Sequence, residues 1–413
     1  MAKLAAAASA SPMLAEVSAR FCADLPTATP PPQDEPWHGQ SLAKGAAGIA
    51  LHRIELAQTH RAEWRHAHGW IIAATSNGAS AADSTGLLLG APAIAFMLHA
   101  ASGKDRYANA SADVGHAVAT LAERRVTTAT ERIATGATTE FIEYDLFHGL
   151  TGIGAVLLQT DPAGGAMEQI LDYLVALTRP LRHDERTLPG WWVSHAPERL
   201  TSAAYAGHGN FGAAHGITGP LALLAQAARR GLIVKGHREA IETIFTFMDS
   251  WRQDSPAGSW WPEWITVGEL ETGRCKQVGP ERPSWCYGTP GIARAGQLAA
   301  IATGDTSRQA VYENALLACL DDATQRKRII DAGICHGAAG LFQAVWRAAN
   351  DATDQRLRDR LPGLADDLAR LAQDESTVGP GFLLGRAGCA LAVQTAATDA
   401  APISGWDACL LID

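Results

Sequence analysis

The sequence is poor in charge, and the charge it carries leans negative. Only 19% of its 413 residues are charged and the formal net charge is −9. It therefore offers no basic surface to a phosphate backbone, which argues against nucleic acid as the partner. Long hydrophobic runs are missing as well, and no stretch reaches the roughly 18 apolar residues of a membrane-spanning helix. The opening MAKLAAAASASPMLAE has one Lys and a short Ala run but lacks the apolar core of a secretory signal. A cytoplasmic protein with a weakly ordered first segment is expected. Cysteine is sparse: the seven, at 22, 275, 286, 319, 335, 389 and 409, are odd in number and form no Cys-x-x-Cys knuckle. This excludes the dense disulfide framework of a small secreted scaffold and predicts reduced thiols. Cys319, on the apolar stripe of VYENALLACL, reads as a core residue.

What the chain does have is glycine, 40 residues of it, and much of it is in register. Gly45-Ala-Ala-Gly48, Gly149-Leu-Thr-Gly152, Gly216-Ile-Thr-Gly219, Gly288-Thr-Pro-Gly291, Gly337-Ala-Ala-Gly340 and Gly385-Arg-Ala-Gly388 share one form, with Gly86-Leu-Leu-Leu-Gly90 as a looser copy. These mark seven units separated by inserts of unequal length. Helical periodicity lies between them, as in Ile241, Ile244, Phe245 and Met248 or Leu364, Leu368 and Leu371. Each unit reads as a helix, a loop, a Gly-x-x-Gly turn and a second helix. Glycine suits the turn because it tolerates positive φ and admits close approach of backbones. A hairpin that cannot cover its own apolar face must either stack into an open solenoid or close into a ring. Closure is expected, since it gathers the glycine turns at one end and lets distant residues converge. The whole chain, 1–413, is expected to be one all-α domain, with an extension over 1–40 that is partly irregular and insert loops near 183–212 and 253–283.

Reactive side chains stand at the edges of only some of these turns. The fifth reads Arg282-Pro-Ser-Trp-Cys286-Tyr287-Gly288 and the sixth Ile334-Cys335-His336-Gly337, so equivalent turns of adjacent units present thiols. Cys286, Cys335 and His336 make a Cys₂His set, which leaves a fourth zinc position open in the manner of catalytic sites. A fourth ligand from Cys275 or Cys389 would instead make the site structural. At the fourth turn His215 precedes Gly216, and at the third Asp145 lies one helical turn before Gly149. An isolated Asp there caps a helix by default. His148 and His208 are alternatives to His215. Two inserts with paired tryptophans, 187–211 and 255–278, run into the His215 and Cys286 turns; packing is the first reading of their indoles, lining of a peptide cleft the second.

The segments WCYGTPG, ICHGAAG, AAHGITG and YDLFHGLTGIG, threaded through the seven units from Gly45 to Gly388, resemble the lanthionine synthetase C-like family, in particular its stand-alone bacterial lantibiotic cyclases. The resemblance implies an all-α fold, an α/α toroid of seven helical hairpins, with one zinc ion per chain at one end. It implies Cys286, Cys335 and His336 as metal ligands, His215 and Asp145 as acid and base candidates, and Arg282 and Tyr287 as further active-site residues. It implies Michael addition of peptide cysteine thiols to dehydroalanine or dehydrobutyrine, forming lanthionine or methyllanthionine rings in a dehydrated precursor peptide. A dehydratase acting first and an exporter would be the accompanying partners. Glutathione addition to dehydroamino acids is a rival within the family, and a non-catalytic zinc-stabilised peptide-binding scaffold a rival outside it. A toroidal glycosidase would need paired carboxylates, and the turns supply only Asp145.

Overall fold

The computed structural model describes residues 11–23, 37–103, 106–183, 185–197, 207–373 and 379–413. The helix after each glycine turn is almost wholly apolar and buried. These inner helices are Ala46–Gln58, Ala91–Ala101, Leu150–Thr160, Thr218–Arg229, Thr289–Thr303, Ala338–Asp351 and Arg386–Thr398. Each touches the next and the last touches the first, so they form a closed ring. Outside them lie Trp64–Thr75, Ala108–Thr135, Gly165–Leu177, His237–Trp251, Thr306–Asp321 and Leu361–Leu371, each packed on its own inner helix. These outer helices are amphipathic: in His237–Trp251 the buried residues are His237, Ala240, Ile241, Ile244, Phe245, Met248 and Trp251, the stripe of a helix with one wet face. The fold is an all-α toroid.

The seventh inner helix has no outer helix following it in sequence. Its place is taken by Pro12–Ala23, which lies against Leu361–Leu371 and Arg386–Thr398. The expectation of a weakly ordered first segment does not describe this stretch. Leu14, Val17 and Phe21 are spaced for one helical face and are buried by the ring. Residues 1–10 and 24–36, also part of the expected extension, lie outside the described residues.

A belt of backbone hydrogen bonds joins the loops that precede the turns. Leu42 N–H donates to Leu88 O, Leu146 to Ala214, Ala214 to Cys286, Cys286 to Cys335, Cys335 to Leu383, and Leu383 to Ala43, at 2.9 to 3.2 Å. The last bond closes the circle from the seventh unit to the first. Between the second and third units the link is a side chain: the buried Arg125 guanidinium donates to Thr85 O at 3.0 Å and to His148 O at 2.7 Å.

The belt also corrects the register of the second unit. Leu88 occupies the belt position two residues before Gly90, as Ala43 does before Gly45, so Gly90 and not Gly86 is the first glycine of the motif. Its helix starts at Ala91 with Pro92 in the first turn, and Ala93 stands where the other units carry a second glycine. Positive φ is not the general reason for glycine here either. Gly45, Gly149, Gly288, Gly337 and Gly385 have φ between −87° and −115°, and Gly90 alone is positive at 81°. The shared reason is crowding. A Cβ on Gly291 would overlap the carbonyl oxygen of Trp285, and one on Gly340 that of Ile334, and the same holds at Gly48, Gly152 and Gly388.

The centre of the ring is filled by the last described residues. Trp406, Asp407, Leu410 and Ile412 are buried, and Asp407 accepts from Gln343 at 2.6 Å and from Arg347 at 2.7 Å. Leu410 O accepts the Trp285 indole N–H at 3.2 Å, and Ile412 O accepts from Arg294 at 2.8 Å. The two long inserts are tied together, since His208–Asn210 pairs antiparallel with Trp264–Thr266. Their paired tryptophans, Trp191, Trp192, Trp260 and Trp261, are at most 5% exposed and belong to the packing, not to an open cleft. Residues 198–206 of the first insert lie outside the described residues.

Gly340→Ala is expected to lower stability by about 3 kcal/mol, the upper range for overpacking. Gly363→Ala, in an outer helix with nothing within 4 Å of the added methyl, is expected to raise it by about 1 kcal/mol. Thermal and denaturant unfolding of the two variants checks both signs.

Candidate functional site

The belt does more than close the ring, because its members include the reactive residues. Cys286 N–H donates to Cys335 O at 3.2 Å, which holds the fifth and sixth turns side by side. The two sulfurs and an imidazole nitrogen of His336 lie within 4.8 Å of one another, with both cysteines buried and His336 part-exposed. Neither Cys275 nor Cys389 joins this group among the described residues; Cys389 is a core thiol pushed up to about 12 by burial. The donor set suits zinc, which takes thiolate and imidazole ligands in a tetrahedral arrangement that three protein donors can fill while leaving a fourth position open. Its electrostatics suit a cation too. Cys286 is held well below the ordinary thiol range, first by its hydrogen bond with Cys335 and then by His336 and Ser284, whereas Cys335 is pushed up by the same contact. A divalent ion bound here would take both sulfurs as thiolates.

A second cluster forms at the third and fourth turns. The fully buried Asp145 accepts from the backbone N–H of His148 at 2.6 Å and of Gly149 at 2.8 Å through Oδ1. In place of the helix cap expected of an isolated Asp, it clasps the loop just ahead of the helix Leu150–Thr160, whose own N-cap is Gly149. Oδ2 remains free for chemistry and lies 2.6 Å from His215 Nδ1 and 3.4 Å from His148 Nδ1. Burial would raise the Asp145 carboxyl, but the hydrogen bonds from His148 and His215 outweigh it and hold it below the ordinary carboxylate range. His215 is further fixed by Phe141 stacked at 5.3 Å and Phe147 edge-on at 4.9 Å. The other alternative, His208, is fully buried and bonds His195 O at 2.9 Å, and burial pushes it down to about 4. It belongs to the wall and not to the cluster.

Tyr287 links the two clusters, its ring 6.1 Å from that of His215 and its backbone next to Cys286. Burial pushes its phenol above the ordinary value, so it stays protonated. Motif reading passed over the residue that orients it. Asn210, 1% exposed, accepts Gly212 N–H at 2.9 Å through Oδ1 and points Nδ2 at the Tyr287 oxygen at 3.3 Å. Because the Asn210 amide donates, the phenol accepts, and its own proton is free for a partner in the site. Asp331 was missed in the same way. Its carboxylate lies 3.9 Å from Arg282 and 3.8 Å from His336 Nε2, and accepts Gly333 N–H at 2.9 Å, so it positions both. The only sequence signal for either residue is a short Asn-x-Gly or Asp-x-Gly before the turn.

This arrangement can hold a transition metal, move a proton through His215 and Asp145, and offer hydrogen-bond donors from Tyr287 and Arg282. No helix among the described residues is long and apolar enough to cross a membrane. The solved structure of nisin cyclase superposes with a TM-score of 0.78, covering 97% of this chain and 96% of that one at 20% sequence identity. Nisin biosynthesis protein NisC of Lactococcus lactis subsp. lactis is 25% identical over 262 residues, 61% of this chain and 60% of that protein. The match thus spans about three fifths of that curated relative. The model of the lanthionine synthetase C-like proteins matches residues 36–411. With the family's model matched along nearly its whole length, the chain belongs to the lanthionine synthetase C-like family.

Proposed function

We propose that this chain is a zinc-dependent lantibiotic cyclase, which joins cysteine thiols of a precursor peptide to its dehydroalanine or dehydrobutyrine residues as thioethers. The observation that carries the reading is the three-donor set Cys286, Cys335 and His336 beside the Asp145–His215 pair, at one end of one ring. When bound by those three residues, zinc supplies the Lewis acidity that holds a thiol as thiolate near neutral pH, where a free thiol with pKa about 8.5 is mostly protonated.

The reaction forms one C–S bond at the β-carbon and sends the alkene electron pair to the α-carbon and its carbonyl oxygen. The thiol proton leaves the sulfur and a proton must reach the α-carbon, so the addition is balanced without any further reactant. His215 suits both transfers, since an imidazole nitrogen can both accept and deliver a proton. Its Nδ1–H faces the Asp145 carboxylate, which leaves Nε2 to accept and return the proton. Asp145 fixes the ring and stabilises its charged form. Tyr287, oriented by Asn210, donates to the developing enolate oxygen, and Arg282, braced by Asp331, offers positive charge to the same oxygen. A dehydratase must act before this chemistry, because the acceptor alkenes are products of dehydration; an exporter would take the ringed peptide.

Cys286→Ala is expected to lose most bound zinc by elemental analysis, together with all ring formation; full zinc retention would remove Cys286 from the ligand set. His215→Ala is expected to keep its zinc while thioether formation falls by about 10² to 10⁴-fold, the usual share of general acid–base catalysis. Alkylation of remaining thiols in a dehydrated peptide, followed by mass spectrometry, measures both. Asn210→Asp, which can no longer donate to Tyr287, is expected to lower kcat more than it raises KM and to leave zinc content unchanged.

A further inference from the structure

Asp145, His148 and His215 are disposed as more than a catalytic pair with a neighbour. The two imidazoles lie nearly parallel, 11° apart with ring centroids separated by 5.8 Å, and both turn Nδ1 toward the same oxygen, Asp145 Oδ2. All three ligand atoms lie within 4.8 Å of one another. From zinc–nitrogen and zinc–oxygen bonds of about 2.0 to 2.2 Å, two ligands at a tetrahedral angle stand roughly 3.4 Å apart. The His148 Nδ1 to Asp145 Oδ2 separation is already 3.4 Å. The His215 contact, at 2.6 Å, would have to open by about 0.8 Å to meet that roughly 3.4 Å spacing. Access is available, because the His148 side chain is 47% exposed whereas Asp145 is fully buried.

We propose that Asp145, His148 and His215 form a second divalent transition-metal site, separate from the Cys286–Cys335–His336 set. Two imidazoles and one carboxylate select zinc, cobalt or nickel over magnesium and calcium, which require oxygen ligands. The site is the weaker of the two. It has no thiolate, the second Asp145 oxygen is committed to two backbone N–H groups, and the Arg125 guanidinium, bonded to His148 O, places positive charge beside it. Binding replaces the protons that His148 and His215 share with Oδ2, so an ion here withdraws His215 from proton transfer. That consequence for turnover rests on the function proposed above; the site itself does not.

Zinc-loaded full-length protein titrated with cobalt(II) tests the site without any substrate. One further equivalent is expected, with ligand-field absorption and no thiolate-to-cobalt charge-transfer band, unaffected by an excess of magnesium. His148→Asn, at a half-exposed position and with an unchanged melting temperature, is expected to weaken this binding at least tenfold. Cys286→Ala is expected to keep it. Absence of the extra equivalent overturns the site, as does undiminished binding in both His148→Asn and Asp145→Asn. In the cyclisation assay, a zinc excess that slows the unmodified protein is expected to slow His148→Asn less; equal slowing overturns the withdrawal of His215.

Discussion

The protein depends on a circle of backbone hydrogen bonds. Each hairpin alone would leave one face of its inner helix bare, and the units could as well stack into an open spiral. What selects the ring is that the loop before a glycine turn donates to the loop of the next unit, with Arg125 supplying the link between the second and third units and Leu383 N–H on Ala43 O closing the circle. Each such bond contributes only about 1 kcal/mol. Left unmade in the buried end of the toroid, each would cost more than it contributes when formed, so the loops are held in one arrangement. Glycine at the turns lets each of these loops fold tightly onto the start of its own inner helix, because a side chain there would strike a carbonyl oxygen of that loop.

The same circle delivers the chemistry. Cys286 and Cys335 are consecutive members of it, and Ala214 and Leu146, which carry His215 and Asp145 as sequence neighbours, are two more. Residues nearly 200 positions apart in the chain, Asp145 and Cys335, are thereby held at one end of one ring by main-chain contacts, which do not depend on what the side chains bind. Asp145 shows how closely scaffold and site are joined. One carboxylate oxygen secures the start of an inner helix while the other orients His215. The floor beneath is equally committed, with Trp285, the residue before Cys286, bonded to Leu410 in the segment that fills the ring.

Much of this was legible in the sequence because it repeats. Glycine spacing marked the units, helical periodicity supplied the hairpins, and the residues flanking each turn marked the fifth, sixth, fourth and third as the reactive ones. Features without a repeat or a period were illegible. Asn210 and Asp331 sit in loops where no pattern distinguishes them from turn formers. The second unit was misaligned because Leu87, Leu88 and Leu89 between two glycines resemble a stretched motif, and only the position of Leu88 in the belt shows that Gly90 leads. The helix Pro12–Ala23 was hidden by an Ala-rich start, and its place in the seventh hairpin depends on the far-off helix Arg386–Thr398.

The sequence by itself determined the helical hairpins, the sevenfold unit and which side chains stand at the turn edges, because all three follow from local spacing along the chain. The tertiary structure alone decided which of those side chains meet. His148 and His208 are equivalent on paper, yet one shares the Asp145 oxygen with His215 and the other is buried against His195. It also decided that Cys275 and Cys389 stay apart from Cys286, Cys335 and His336 among the described residues, and that the paired tryptophans are packing. The physical reason is that convergence is fixed by ring closure, and the bonds that close the ring join loops whose separation in sequence carries no information about their distance in space.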